Sequence, residues 1–240
     1  MTIKGILFDL YGTLIDIKTD ESLEEIYRGI AHYLTYHGVY LHRRGVRDRY
    51  YKIMKQQKKE GGEKYPEIDV EAIWNTFLAK EDVKSTPERR KLATFLAQIY
   101  RAISRKRLRL YPDVKRVLDG LRPTYRMALV SDAQPCYALP EIKAVGLEGY
   151  FNPIIISAKY GFRKPDARPF KKALDTLKLK PAEALCVGND MYRDIYGASQ
   201  FGIKTIFVDS NQGTKSHEHV TPDYFANRFE DVLKGVKALT

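Results

Sequence analysis

Lys4-Gly-Ile-Leu-Phe-Asp-Leu-Tyr-Gly-Thr-Leu14 (KGILFDLYGTL) sets a short apolar run, Ile6 to Phe8, directly before a carboxylate, Asp9. A tyrosine, Tyr11, and a glycine turn at Gly12 follow. An apolar run of this length, closed by a turn signal, predicts a buried strand over residues 4–10. A strand that ends on an acid needs a reason, because an isolated carboxylate is costly to desolvate. The ends of the other strands supply one.

After Tyr111-Pro112-Asp113 short apolar runs alternate with helical patterns. The pattern predicts helices over 114–121, 141–145, 169–177, 192–201 and 229–239. It predicts strands over 125–130, 153–157, 184–187 and 205–208, and a short one over 223–226. Strands alternating with helices mean a parallel sheet with helices on both faces, and such sheets bind ligands beyond the carboxyl ends of their strands.

Between these two parts the character changes. Leu23, Ile26, Tyr27, Ile30, Ala31 and Leu34 form a helical stripe, which Tyr50, Ile53 and Met54 continue on a second helix. Lys58 to Lys64 is a polar break with two glycines. A third helix over 70–78 is N-capped by Asp69, and a fourth runs from Pro87 to about Lys106 with Leu92, Phe95, Leu96 and Ile99 on one face. No strand pattern stands out. The expected organisation is an α/β core of residues 1–15 and 110–240 with a Rossmann-like parallel sheet, plus an inserted all-helical cap domain over 16–109.

Composition narrows the class. The 240 residues are 44% hydrophobic and 12% aromatic, enough for a sizeable core. No apolar run approaches the ~18 residues of a membrane span. The N-terminus lacks a basic region and a cleavage site, so the expectation is a cytoplasmic protein with no membrane association. Cys136 and Cys186 read as structural thiols. The net charge is +11, and residues 16–111 hold 21 Lys and Arg against 14 Asp and Glu. That surplus suits a small anionic substrate. No nucleic-acid-binding motif accompanies it, so nucleic acid is disfavoured. Oligomeric state is not encoded in any motif. Tyr33, Tyr36, Tyr40, Tyr50, Tyr51 and Trp74 read as helix-packing residues, and His217 and His219 as solvated.

Four strand ends carry polar groups: Asp9; Ser131-Asp132; Lys164 in GFRKPD; and Gly188-Asn-Asp-Met-Tyr-Arg-Asp194. In a parallel sheet they converge. Asp9 can attack as a carboxylate nucleophile. Gly12 and Thr13 can present backbone N–H groups to an anion. Ser131 and Asp132 would meet the substrate, and Lys164 can hold Asp9 charged. Asp190 and Asp194 add acids that repel Asp9 unless a cation offsets them, and such hard oxygen ligands suit Mg²⁺.

Together these motifs resemble the haloacid dehalogenase (HAD) superfamily of hydrolases, on FDLYGTL, LVSDA, FRKPD and VGNDMYRDIYGA, across the whole chain. The resemblance implies Asp9 as nucleophile, with Ser131 and Lys164 on the transferring group. It implies Mg²⁺ held by Asp9, the Tyr11 carbonyl and an acid of the fourth motif, Asp190 or Asp194. It also implies a helical cap that closes over the site.

Phosphatases of that superfamily usually carry a second Asp where this chain has Tyr11. Tyrosine, with a pKa near 10, replaces that acid–base group poorly. FDLYGTL instead resembles the 2-haloacid dehalogenase branch, yet Asp132, Phe170 and the acids Asp190 and Asp194 depart from it. Asn189 occupies the usual first acid position of the fourth motif. The expectation is a Mg²⁺-dependent phosphatase acting on a small phosphorylated metabolite. The alternatives are a 2-haloacid dehalogenase, for which Arg43, Arg44, Arg47 and Arg49 offer halide partners, and a binding or regulatory protein on the same scaffold.

Overall fold

A computed structural model describes residues 2–84, 86–218 and 220–240. Six strands form one parallel sheet: β1 (Gly5–Phe8), β4 (Arg126–Ser131), β5 (Ile154–Ile156), β6 (Ala184–Gly188), β7 (Lys204–Val208) and β8 (Tyr224–Ala226). Their order is β5-β4-β1-β6-β7-β8, with β1 between β4 and β6. All four residues of β1 are buried, because both faces of the sheet are covered. On one face Ile6, Phe8, Leu129, Leu185 and Val187 pack with α5 (Val114–Leu121) and α9 (Val232–Leu239). On the other, Leu7, Ala128, Val130 and Cys186 meet Phe170, Ala173 and Leu174 of α7 (Ala167–Leu177). The alternation of Ile6, Leu7 and Phe8 between these clusters is the period-two signature of a strand. The Rossmann-like α/β fold is therefore as expected. A further helix, α6 (Pro135–Ala144), starts just beyond β4.

The described residues between 24 and 104 include four helices: α1 (Glu24–Thr35), α2 (Arg43–Glu60), α3 (Val70–Lys80) and α4 (Pro87–Ser104). They enclose a second cluster around Ile26, Tyr27, Tyr50, Trp74, Phe77 and Leu96. The apolar stripe of α1 is buried as its spacing predicts, and Asp69 caps α3 by accepting from Ala72 N at 3.0 Å. Tyr50 is buried, stacked on Tyr100 at 5.0 Å and set against Trp74 at 4.9 Å, as packing residues would be. Phe95 departs from expectation. It stays 40% exposed and lies on Tyr33 at 4.8 Å, at the edge of the stripe.

Two expectations are corrected. The segment between the core parts is not free of strands: β2 (Ile15–Thr19) and β3 (Arg105–Leu110) pair antiparallel at its base, and α4 stops at Ser104. Ile17, Leu108 and Leu110 pack on the sheet's core cluster, while Asp16, Lys18, Arg107 and Arg109 pair across the ribbon. Each strand is short and charged, so its alternation is weak in sequence. The helix expected over 192–201 begins as a π-helix, Met191–Tyr196, and ends as a short α-turn, α8 (Gly197–Ser199). Ile195 N donates to Asp190 O, the wider π spacing.

Among the described residues no helix is long and apolar enough to cross a membrane. His217 is not simply solvated: its ring packs on Tyr192 at 4.7 Å and Tyr196 at 5.1 Å. His219 lies outside the described residues.

Candidate active site

The carboxyl ends of β1, β4 and β6 bring the expected groups together around one ammonium. Lys164, 3% exposed, donates to Asp9 Oδ1 at 2.7 Å, to Asp194 Oδ1 at 2.6 Å and to the Val130 carbonyl at 3.0 Å. Its three protons meet three acceptors. Burial opposes the charge on Lys164, but Asp194 and Asp9 outweigh it and hold its pKa above the ordinary lysine value. Thr13 Oγ1 lies 2.9 Å from Asp9 Oδ2 and 3.1 Å from Asn189 Oδ1, so it shares one proton between two acceptors. Asp9 thus has both oxygens fixed in place.

Asp194, in the π-helix, folds back against the end of β6. Its Oδ2 accepts from Asn189 N and Asp190 N, each at 3.1 Å. This requires Gly188, where a Cβ would lie 2.3 Å from that of Asp194. Burial pushes the Asp194 carboxyl up to about 7 despite Lys164. Asp190 has a different role. Its Oδ1 accepts from Tyr192 N and Arg193 N, and its Oδ2 from Arg193 Nε and Thr214 N. It is the N-cap of the π-helix and the partner of Arg193, and four donors occupy it. Burial works against its charge, and these donors prevail, so its pKa lies below the usual range.

Ser131 Oγ is buried and has no partner among the described residues, so its hydroxyl is uncommitted. Asp132 Oδ1 accepts from Lys164 N at 3.1 Å, while its Oδ2 is buried and unpartnered. Burial raises the Asp132 pKa. The expected anion-donor role of Gly12 is corrected: Gly12 N already donates to Ile15 O at 2.8 Å. Its contribution is conformational. At φ +92° it turns the chain, and a Cβ would lie 2.4 Å from Asn189 Nδ2.

Tyr11 is tied to residues that its sequence neighbourhood does not announce. Its hydroxyl donates to Glu141 Oε2, a buried carboxylate on α6. Arg101 of α4 binds both Glu141 oxygens, at 2.9 and 3.1 Å, and Arg105 Nη1 reaches Oε1 at 3.2 Å. The Arg101 guanidinium also sits 5.2 Å from the Tyr11 ring centre. Burial and then Glu141 raise the Tyr11 pKa well above the usual tyrosine value. The missed residues here are Glu141 and Arg101. The signal for Glu141 was the single acid in the helix PCYALPEIKA, whose other charged residue is Lys143 in its last turn.

Several other candidates stay outside the cluster. Arg43, Arg47 and Arg49 pair with Glu24, Asp48 and Glu81 on partly exposed faces, and Arg44 is exposed. Cys136 and Cys186 are free and buried, and burial pushes the Cys136 thiol up to about 12. Both sit in the apolar, buried setting of structural thiols.

The oxygen atoms linked to Asp9 through Lys164 and Thr13 are Asp194 Oδ1 and Asn189 Oδ1. Among the described residues no three acid, histidine or cysteine side chains converge as a cage. Charge balance nevertheless fits a divalent ion. Among the described residues Asp9, Asp190 and Asp194 pair with Lys164 and Arg193 and Asp132 has no ion pair, so four carboxyl groups share two cations. Hard oxygen donors of this kind suit Mg²⁺.

Strand-end acids gathered round a buried lysine mark an enzyme whose chemistry lies at the carboxyl edge of a Rossmann-like sheet. A family model described as haloacid dehalogenase-like hydrolase matches residues 6–208, and the chain belongs to that family of hydrolases. It is 31% identical over 206 residues to the glyceraldehyde 3-phosphate phosphatase of Pyrococcus abyssi, covering 85% of this chain and 81% of that one. In fold it is similar to a HAD phosphatase from Thermococcus onnurineus, with a TM-score of 0.61, 22% identity and 98% of each chain covered. It is also similar to a 2-haloacid dehalogenase from Pseudomonas syringae pv. Tomato, with a TM-score of 0.67, 21% identity and 99% of each chain covered.

Proposed function

We propose that this hydrolase is a Mg²⁺-dependent phosphatase acting on a small phosphorylated metabolite, with Asp9 as nucleophile. The carrying observation is the Asp9–Lys164–Asp194 cluster beside the uncommitted Ser131 hydroxyl, where four carboxyl groups share two cations. The relative named glyceraldehyde 3-phosphate phosphatase supports the same class.

In this reading Asp9 and Asp194, with the Tyr11 carbonyl and Asn189, would hold the cation, because Asp194 shares Lys164 with Asp9 whereas Asp190 pairs with Arg193 and caps the π-helix. A bound Mg²⁺ supplies charge neutralisation for the phosphoryl oxygens. Ser131 donates to one of those oxygens, and Lys164 offsets negative charge that develops as the bond to Asp9 forms. A carboxylate oxygen of Asp9 bonds to phosphorus, and the bond from phosphorus to the leaving oxygen breaks. Water then attacks the aspartyl phosphate, which releases inorganic phosphate and restores the carboxylate. Residues 16–109 act as a cap that excludes bulk water.

Tyr11, bound to Glu141, supplies no acid for the leaving oxygen, a contribution usually worth ~10²–10⁴-fold. Acyl and aryl phosphates, which leave unaided, are therefore the better substrates. The deciding experiment measures phosphate release from para-nitrophenyl phosphate and chloride release from 2-chloropropionate, each with Mg²⁺ and with EDTA, beside Asp9→Asn. Phosphate release that needs Mg²⁺ and Asp9 is expected. EDTA-resistant chloride release would replace this reading with dehalogenation.

A further inference from the structure

The loop between α2 and α3 leaves the helical unit and fastens onto the two loops that carry Ser131, Asp132 and Lys164. It begins at Gly61-Gly62, where Gly62 takes φ +63°. Glu63 pairs with Arg168 at 2.5 Å. The Tyr65 carbonyl accepts from Arg163 N at 3.0 Å, and Glu67 N donates to Gly161 O at 2.9 Å. The Gln134 side chain bridges back, accepting from Val70 N at 3.0 Å and donating to Ile68 O at 2.7 Å.

Within this strap one side chain reaches the site's own backbone. Glu67 Oε2 accepts from Ser157 Oγ at 2.7 Å, and its Oε1 accepts from Ile68 N at 2.9 Å. Ser157 Oγ in turn accepts from Ala133 N at 3.0 Å. A hydroxyl has one proton. The Glu67 carboxylate at 2.7 Å takes it in preference to the Ala133 carbonyl at 3.4 Å. That choice turns a Ser157 lone pair toward the Ala133 N–H, one residue beyond Asp132 and two beyond Ser131. Among the described residues the Ser131 side chain has no hydrogen-bond partner, so its placement rests on the backbone, paired with Ile156 on one side and continuing into the Asp132–Ala133 turn on the other.

We infer that Glu67 is a positioning residue: docked from the helical unit, it orients the Ser157 hydroxyl and so anchors the Ser131–Asp132–Ala133 turn. The strap thereby couples its own docking to the placement of the Ser131 donor. Only the kinetic part of the test rests on the phosphatase reading.

The test compares Glu67→Ala, Glu67→Gln, Ser157→Ala and the Glu67→Ala/Ser157→Ala double variant in the full chain. It reads amide exchange of Ala133 by NMR and steady-state hydrolysis of para-nitrophenyl phosphate. Glutamine keeps one oxygen, which can accept from Ser157 while the bond from Ile68 N is given up. Glu67→Ala should speed Ala133 exchange by about tenfold or more while Glu67→Gln leaves it near wild type. kcat should fall about tenfold in Glu67→Ala with KM changed less than about twofold, and Glu67→Gln should restore it to within about threefold. The double variant should be no worse than Ser157→Ala alone. If Glu67→Ala does not fold, Ser157→Ala and Glu67→Gln carry the test: loss in the first and retention in the second are required. Unchanged Ala133 exchange in a folded Glu67→Ala overturns the inference, as does an equal loss in Glu67→Ala and Glu67→Gln. If the wild type releases no phosphate, the phosphatase reading fails, and Ala133 exchange alone decides the role of Glu67.

Discussion

The Tyr11 hydroxyl donates to the Glu141 carboxylate, and Arg101 grips that carboxylate from the helical unit. A residue two positions after the proposed nucleophile is therefore a structural tie between β1, α6 and α4. Tyr11→Phe removes one hydrogen bond to a buried charged group, a loss of about 1.5–3 kcal/mol. Thermal denaturation should show a melting temperature several degrees lower. Turnover of para-nitrophenyl phosphate should stay within about threefold, because the hydroxyl is not used in the chemistry.

Tyr11→Asp tests the other side of the same position. A carboxyl there can protonate a leaving alkoxide, so hydrolysis of alkyl phosphates should rise about tenfold or more relative to aryl phosphates. Rates on glycerol phosphate and para-nitrophenyl phosphate give the ratio. An unchanged ratio would count against a role for general acid help in this site.

The two acids of the fourth motif should separate on substitution. Asp190→Asn can keep the cap but loses the charge that pairs with Arg193 and one acceptor oxygen, so it should cost about 1–3 kcal/mol of stability, with the Mg²⁺ concentration for half-maximal activity held within about twofold. Asp194→Asn should raise that concentration at least about tenfold. A metal titration of both variants decides which acid the cation uses. The reverse pattern would make Asp190 the ligand.

Lys164→Met leaves Asp9 and Asp194 facing each other with no ammonium between them. Removing one partner from a buried ion pair typically costs about 3–5 kcal/mol, so chemical denaturation should show a large loss. Phosphate release should fall by about 10²-fold or more, since the same group offsets charge in the transition state.

The ribbon carries a pH dependence. Burial works against the charge on Asp16, but Arg107 at 2.7 Å and Arg109 at 3.0 Å prevail and hold its pKa below the ordinary carboxylate value. A carboxyl whose folded pKa is depressed stabilises fully above its unfolded value, near 3.9, and loses that contribution as pH falls through the folded one. Melting temperatures of wild type and Asp16→Asn should converge as pH drops below about 4 and differ by a constant amount from about pH 5 upward. A gap that persists unchanged at acid pH would mean the Asp16 pairs contribute nothing.

Much of the sheet and the central cluster was legible in sequence, because an apolar strand ending on a polar residue is a local signal. Asp9, Ser131, Lys164 and Asp194 each follow such a run, and the parallel order brings them together. What escaped depends on partners far along the chain. Glu141 and Glu67 are ordinary acids until Tyr11 and Ser157 meet them, at separations of 130 and 90 residues. The split between Asp190 and Asp194 was equally hidden. It follows from the π-helix, whose first turn spends Asp190 on backbone N–H groups. The β2–β3 ribbon was missed because RKRLRL has charge at four of six positions, so its alternation of Leu108 and Leu110 is faint.

The ribbon also makes the helical unit removable on paper. Thr19 and Arg105 are paired across it, and Asp20 N donates to Ser104 O at 2.7 Å, so the chain leaves and re-enters at one point. Residues 20–104 are in effect the turn of a β-hairpin, enlarged until the turn acquired a core of its own. The entropy of closing such a loop grows only with the logarithm of its length, so a large insertion at this place burdens the host sheet little. Joining Thr19 to Arg105 through a two-residue turn would keep every strand of the sheet and all of Asp9, Ser131, Lys164 and Asp194. It would delete Glu67 and Arg101, so excision would separate the groups that do the chemistry from those that report whether the site is covered.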